Sequence, residues 1–310
     1  MFFKESNDMI KLRPPFVQSF IAYEYSRRKW GPQLYGLLAD VRIEEYVESH
    51  TLTPEEAFTS EMTEDVAHAY ANFHSMKVPI SSRLRDFLDE LRSSVDPMVQ
   101  QFTQWISSGQ LSEETIDQLK LRQFVSFPFK SEMDWIKKVQ AKLTERVVLG
   151  AVDGQYLNRL VRNEKPNVAH ATRTVIIDYD IAGYCFRGFD LAGHFVSRLL
   201  SWEGKESFVS GFAFPTEEER HRFLLCYLEQ SEKMFHDFHG SSLDSIENVT
   251  LETDFHSIGY VIMVLLYARA MFPYFQALPS RCSHIAVLLS LHTQLKSQFG
   301  LKYPHLLTSG

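Results

Sequence analysis

Between residues 16 and 30 (FVQSFIAYEYSRRKW) apolar and polar positions recur with the spacing of an amphipathic helix, which Gly31-Pro32 closes. Two β-rich runs follow, QLYGLL and VRIEEYV, separated by Ala39-Asp40, and they predict a hairpin. The pattern changes at residue 51. Thr53-Pro54-Glu55-Glu56 predicts a helix start, with Thr53 as N-cap and Pro54 at the first helical position. Helical periodicity then covers 61–75, 81–92, 96–108, 112–122 and 130–145. Val147-Val148-Leu149 is a short apolar run, and Val175-Ile176-Ile177 reads as a buried strand ending in an acid, Asp178. Everything after Asp190 is helix-like. The expected class is α+β. A small β-containing piece covers residues 1–49, a hinge lies near 44–50, and a mainly helical piece with a few short strands covers 50–310.

Composition narrows the possibilities. At 310 residues and 45% apolar content, the chain can bury a sizeable core. A formal charge of -7 argues against nucleic acid as a partner, because phosphate backbones need a Lys/Arg surplus. Cys185, Cys226 and Cys282 are too few and too scattered for a disulfide framework, and they fit a reduced, cytoplasmic setting. The N-terminus carries charges at positions 4, 5 and 8 and no apolar core, so no secretory signal is expected. The most apolar run, residues 258–268, is too short to span a bilayer and reads as a buried helix, so no membrane span is expected.

Two features carry chemistry. One is Asp153 with Asn158 five residues later, and the other is Asp178 at its strand end. Phosphoryl transfer needs an acid to take the proton of the attacking hydroxyl and hard oxygen ligands to hold Mg²⁺ against nucleotide phosphates. This set supplies one base and two such ligands. Taken alone the pattern is common, and a strand-end Asp more often caps a turn.

The run IDYDIAGYCFRGFDLAGHF, residues 177–195, resembles the choline/ethanolamine kinase signature, with Ile177, Asp178, Tyr179, Arg187, Gly188, Phe189, Asp190, Leu191, His194 and Phe195 in register. GPQLYGLL (31–38), VRIEEYVESHTL (41–52) and ANFHSMKVPI (71–80) resemble further motifs of that family in the same order, so that about residues 16–270 are covered. The resemblance implies a two-lobed, protein-kinase-like fold. It also implies transfer of the ATP γ-phosphoryl group to choline or ethanolamine, the first step of phosphatidylcholine and phosphatidylethanolamine synthesis, with ATP and Mg²⁺ as cofactors and homo- or heterodimerisation as a partner mode.

Carried over by register, Asp153 matches the general base, Asn158 a metal-side ligand and Asp178 the Mg²⁺-binding acid. Glu44, Glu45, Tyr46 and Val47 match the adenine-binding hinge, and Trp202, Tyr260 and Met263 the cage for a quaternary ammonium. Arg187 and Asp190 match residues that buttress the catalytic loop. His194, one helical turn after Asp190, reads as a packed, hydrogen-bonded histidine. Trp202 follows Phe195 and Leu199 at helical spacing, so core packing stays open for it. Tyr260, Met263 and Tyr267 share one helix face, which also suits a core.

The chain departs from the pattern in places. Ala151 and Val152 stand where the family has His and Asn, Ser197 where it has a pocket carboxylate, and Gln18 where a Glu pairs with the phosphate-gripping cation. No glycine precedes Gly31, and only Lys4, Lys11 and Arg13 precede the first helix as cations. The expectation is a shortened N-terminal lobe, poor order over residues 1–15, and activity reduced about a hundredfold or more. The alternative is a weakly active or inactive pseudokinase acting as a binding or dimerisation partner.

Overall fold

The computed structural model describes residues 14–38, 41–240 and 242–308. The expectations about Lys4, Lys11, Arg13 and the Ala39-Asp40 turn fall outside the described residues, as does that about order before Pro14. Helix α1 (Pro15–Arg27) starts with proline in its first turn, where the missing N–H costs nothing. Strands β1 (Leu34–Leu38) and β2 (Val41–Glu44) form the expected antiparallel hairpin, with Leu34 opposite Glu44 and Leu38 opposite Val41. Strand β3 (Ser49–Thr51) follows the hinge segment.

The helix expected at Thr53-Pro54 is only a single 3-10 turn, Glu56–Phe58. Thr53 does cap it by accepting from the Glu56 N–H, but α2 (Ser60–His74) begins later, on the side chain of Thr59. The helical pattern over 81–92 is also corrected, since only α3 (Phe87–Leu91) and a following 3-10 turn are helical. Residues 81–86 lack regular structure because Arg85 donates its backbone N–H to Tyr184 and its guanidinium to the Ile181 carbonyl. Helix α4 (Val95–Ser107) matches its pattern, whereas 112–122 breaks into α5 (Glu113–Gln118) and α6 (Leu121–Ser126) at Lys120, which has φ +52°. Helix α7 (Phe129–Gln140) ends short of 145.

Four short strands then frame the chemistry: β4 (Val147–Gly150), β5 (Arg159–Arg162), β6 (Thr174–Ile176) and β7 (Gly183–Phe186). The sheets are β3-β5-β6 and β4-β7, all pairs antiparallel. Helix α8 (Arg187–Ser197) follows directly, then α9 (Glu217–Met234), α10 (Ile246–Leu266), α11 (Ala268–Ala277) and α12 (Ser283–Lys302).

Helix α10 extends well beyond the apolar run seen in the sequence. Among the described residues it alone is long and apolar enough to cross a membrane, and 83% of that stretch is buried inside the protein. It packs along α8, and that approach is close because α8 carries glycine. A Cβ on Gly193 would sit 2.7 Å from the Tyr260 ring. A separate apolar cluster joins α1 (Val17, Ile21, Ala22, Tyr25) to Phe73, Val175, Ile176 and Tyr179, so the first helix rests on the strand that leads to Asp178.

Candidate active site

Strand β4 delivers the chain into residues 151–158, and three buried side chains hold that loop. Asp190 on α8 accepts the N–H of Ala151 at 2.9 Å and of Val152 at 2.7 Å. Tyr260 on α10 accepts the Gly154 N–H at 2.9 Å and donates to the Val152 carbonyl at 3.2 Å. Arg159, fully buried, donates to the carbonyls of Asp153 (3.1 Å) and Asn158 (3.0 Å) and to the Tyr70 hydroxyl (2.7 Å). The loop is therefore braced although Ala151 replaces the family histidine. Gly154 is required where it stands, since a Cβ there would meet the Gly193 backbone at 2.4 Å. Val152 has φ +68°, a left-handed conformation in which a β-branched residue is strained.

Behind the brace lies His74, at the end of α2. Its Nε2–H donates to Asp190 at 3.0 Å, and its Nδ1 accepts from the Tyr227 hydroxyl at 2.9 Å. Burial holds the imidazole neutral, well placed to keep Asp190 ionised. The sequence reading gave His74, Tyr70 and Arg159 no role, although Arg159 adjoins Asn158.

Asp153 accepts from Gln155 (backbone N–H at 3.3 Å, side chain at 2.8 Å) and from the Asn158 amide at 3.0 Å. Burial pushes its carboxyl up from the usual range, the Gln155 hydrogen bonds and the Arg159 charge pull it partly back, and the nearby Asp178 charge adds to the rise. Sheet register brings Asp178 close. Arg159 of β5 lies opposite Ile176 of β6, and the Ile177 N–H continues the ladder to the Asn158 carbonyl at 3.0 Å. Asp178 is exposed and has φ +62°, a conformation that Asp tolerates better than most residues. The register thus brings the Asn158 and Asp178 backbones together, and an amide oxygen and a carboxylate are hard-oxygen donors of the kind that suits Mg²⁺.

Trp202, Tyr260 and Met263 line one small cavity of ≈ 40 Å³ together with Asp153, Ser197 and Tyr267. Trp202 is not on a helix with Phe195, because α8 ends at Ser197. It sits on a turn, half-buried, packed on Phe208 (ring centroids 5.4 Å apart) and His284 (5.9 Å). Gln155 and Ile181 also line the cavity and were not singled out, and Tyr267, noted for sharing the helix face of Tyr260, lines it too. Two larger cavities, ≈ 380 Å³ beside α3 and α7 and ≈ 560 Å³ between α9 and α12, contain none of the residues expected to carry chemistry. The small one does, and an acid, Asp153, beside the aromatic faces outweighs size.

Glu44 ends β2, and Glu45, Tyr46 and Val47 form an irregular link to β3. The Glu45 N–H donates to Gln33 at 2.7 Å. Arg42, unmarked in the sequence reading, donates to the Gln18 side chain at 3.3 Å and ion-pairs with Glu44 at 3.2 Å. Arg187 bonds to Asp244 and Glu252, each at 2.6 Å, tying α8 to α10 and to the segment before it rather than touching the 151–158 loop. His194 is packed as expected, stacked between Phe58 and Phe223, but its ring nitrogens have no hydrogen-bond partner.

A family model described as choline/ethanolamine kinase matches residues 16–270. A choline/ethanolamine kinase of Homo sapiens is 26% identical over 232 residues, 74% of this chain and 53% of that protein. A probable ethanolamine kinase of Arabidopsis thaliana is 22% identical over 258 residues, 81% of this chain and 62% of that one. The chain spans about half the length of the curated relatives it matches. A crystal structure of a choline kinase from Cryptosporidium parvum superimposes with a TM-score of 0.60 at 17% identity, covering 96% of this chain and 81% of that one. That likeness gives the fold, the α+β protein-kinase-like architecture.

Proposed function

The chain belongs to the choline/ethanolamine kinase family, and from that premise we propose that it transfers the γ-phosphoryl group of ATP to the hydroxyl of choline or ethanolamine. The observation that carries this is that Asp153 lines the same cavity as Trp202, Tyr260 and Met263, while the sheet register brings the chain at Asp178 beside Asn158. In the reaction the acceptor hydroxyl oxygen attacks the γ-phosphorus, its proton passes to the Asp153 carboxylate, and ADP leaves with the bridging oxygen. Burial raises the basicity of Asp153, which suits it to take that proton. Asn158 and Asp178 would hold Mg²⁺, which neutralises charge on the phosphates. The backbone of residues 44–47 would meet the adenine.

The acceptor's ammonium group is attracted by the faces of Trp202, Tyr260 and Tyr267. Met263 fills the wall but offers no π face. Because Ser197 brings no carboxylate to the cavity, discrimination between choline and ethanolamine should be weak. The free thiols of Cys185, Cys226 and Cys282 suit a cytoplasmic setting. The deciding experiment is an ADP-release assay with choline, with ethanolamine and with neither. Acceptor-dependent turnover that falls by about 10²–10⁴ in Asp153→Asn is expected for loss of a general base. Acceptor-independent ADP release, or full activity in that variant, would overturn the reading.

A further inference from the structure

Residues 14–44 contain four cations: Arg27, Arg28, Lys29 and Arg42. Arg27 and Arg28 both pair with Glu24 on the outside of α1, and Lys29 sits in the turn that follows the helix. Arg42 is placed differently. It lies on β2, two residues before the hinge, with its side chain 23% exposed. Its Nη1 reaches Gln18 Oε1 on α1 at 3.3 Å, and its Nε lies 3.2 Å from Glu44 Oε1. Its guanidinium carbon stands 5.8 Å from the centre of the Tyr179 ring, the residue directly after Asp178. Arg42 thus meets α1, the hinge and the loop of the metal-side acid at once, between the two ends of the proposed nucleotide site.

We propose that Arg42 is a catalytic residue that contacts the nucleotide phosphates, oriented by Gln18; the inference rests on the nucleotide reading of residues 44–47 and Asp178. An arginine fork matches phosphate oxygens bidentately, and its charge does not titrate away. Gln18 is informative here. A carboxylate at that position would put a second acid beside Glu44 to compete with phosphate for the guanidinium, whereas the amide oxygen accepts an Arg42 N–H without adding negative charge. The substitution that looked like a lost ion pair in the sequence becomes, with Arg42 opposite, a way of aiming a cation without setting a second acid against it.

Calorimetric titration of the full chain with Mg-ADP and, separately, with adenosine tests this. Arg42→Ala should weaken ADP by about ten- to a hundredfold, the range for a charged hydrogen bond, and leave adenosine unchanged. Gln18→Glu should weaken ADP in the same direction, and Arg42→Lys should restore part of the loss, with thermal melts confirming that each variant folds. Equal ADP affinity in Arg42→Ala and the parent chain would overturn the inference while sparing the kinase reading. An equal loss of ADP and adenosine would overturn it too, making Arg42 a hinge brace. A parent chain that binds neither nucleotide would sink both readings.

Discussion

Val152 carries the clearest residue-scale tension in the protein. Its backbone is left-handed at φ +68°, its side chain is fully buried, and it directly precedes Asp153. For a residue with a Cβ this conformation costs about 1–2 kcal/mol relative to glycine. Truncation of Val152 should therefore show an inverted order. Val152→Ala removes buried methyls and keeps the strain, whereas Val152→Gly removes slightly more surface and relieves it. We expect the glycine variant to be the more stable in urea unfolding, because strain of about 1–2 kcal/mol outweighs the buried methyl at about 0.8 kcal/mol, the reverse of the usual preference for alanine. An alanine variant at least as stable would mean that the 151–158 loop relaxes on its own. Asn, which the resembled motif has at this position, accepts left-handed backbone more readily than Val. The sequence showed Val152 as a departure from that motif, but a dihedral angle is not legible in one sequence.

At the scale of elements, how much could be read depended on what each helix or strand packs against. Helices α2 and α4 followed their own periodicity and needed nothing else. Residues 81–86 did not, because pairing of Arg85 with Tyr184 and Ile181, about a hundred positions away, overrides local preference. The helix face of Tyr260, Met263 and Tyr267 was legible, but which side of α10 looks into a cavity depends on the close approach of α8. That approach rests on Gly193. A methyl there would strike the Tyr260 ring, and overpacking of this kind costs about 1–3 kcal/mol. Gly193→Ala should accordingly lower the melting temperature and also depress turnover, since Tyr260 fastens the loop through Gly154 and Val152. Unchanged turnover in a measurably destabilised Gly193→Ala protein would separate the packing of α8 and α10 from the placing of the loop.

For the molecule as a whole, acid stability should be governed in part by buried neutral histidines. Burial lowers His284 to about 4, with its Nδ1–H donating to the Arg281 carbonyl, and burial likewise lowers His74 and His194. An unfolded histidine takes a proton near pH 6.5. Above that value neither state is protonated at these positions and stability does not depend on them. As pH falls from about 6.5 to about 4, the unfolded chain gains protons that folded His284 refuses, so stability drops, by about 3 kcal/mol for that residue. Urea midpoints between pH 7 and 4.5 should show this fall, and His284→Asn should flatten it. A slope that the variant leaves unchanged would shift the cause to other buried groups. The ring of Tyr260 forms the wall against which an acceptor would rest, and its hydroxyl is also the peg on which the loop of Asp153 hangs. Selection for a different acceptor cannot reshape this wall without disturbing the machinery of turnover. A descendant that changes its diet at this position should first become slow and only later, by compensating changes around the loop, become fast again.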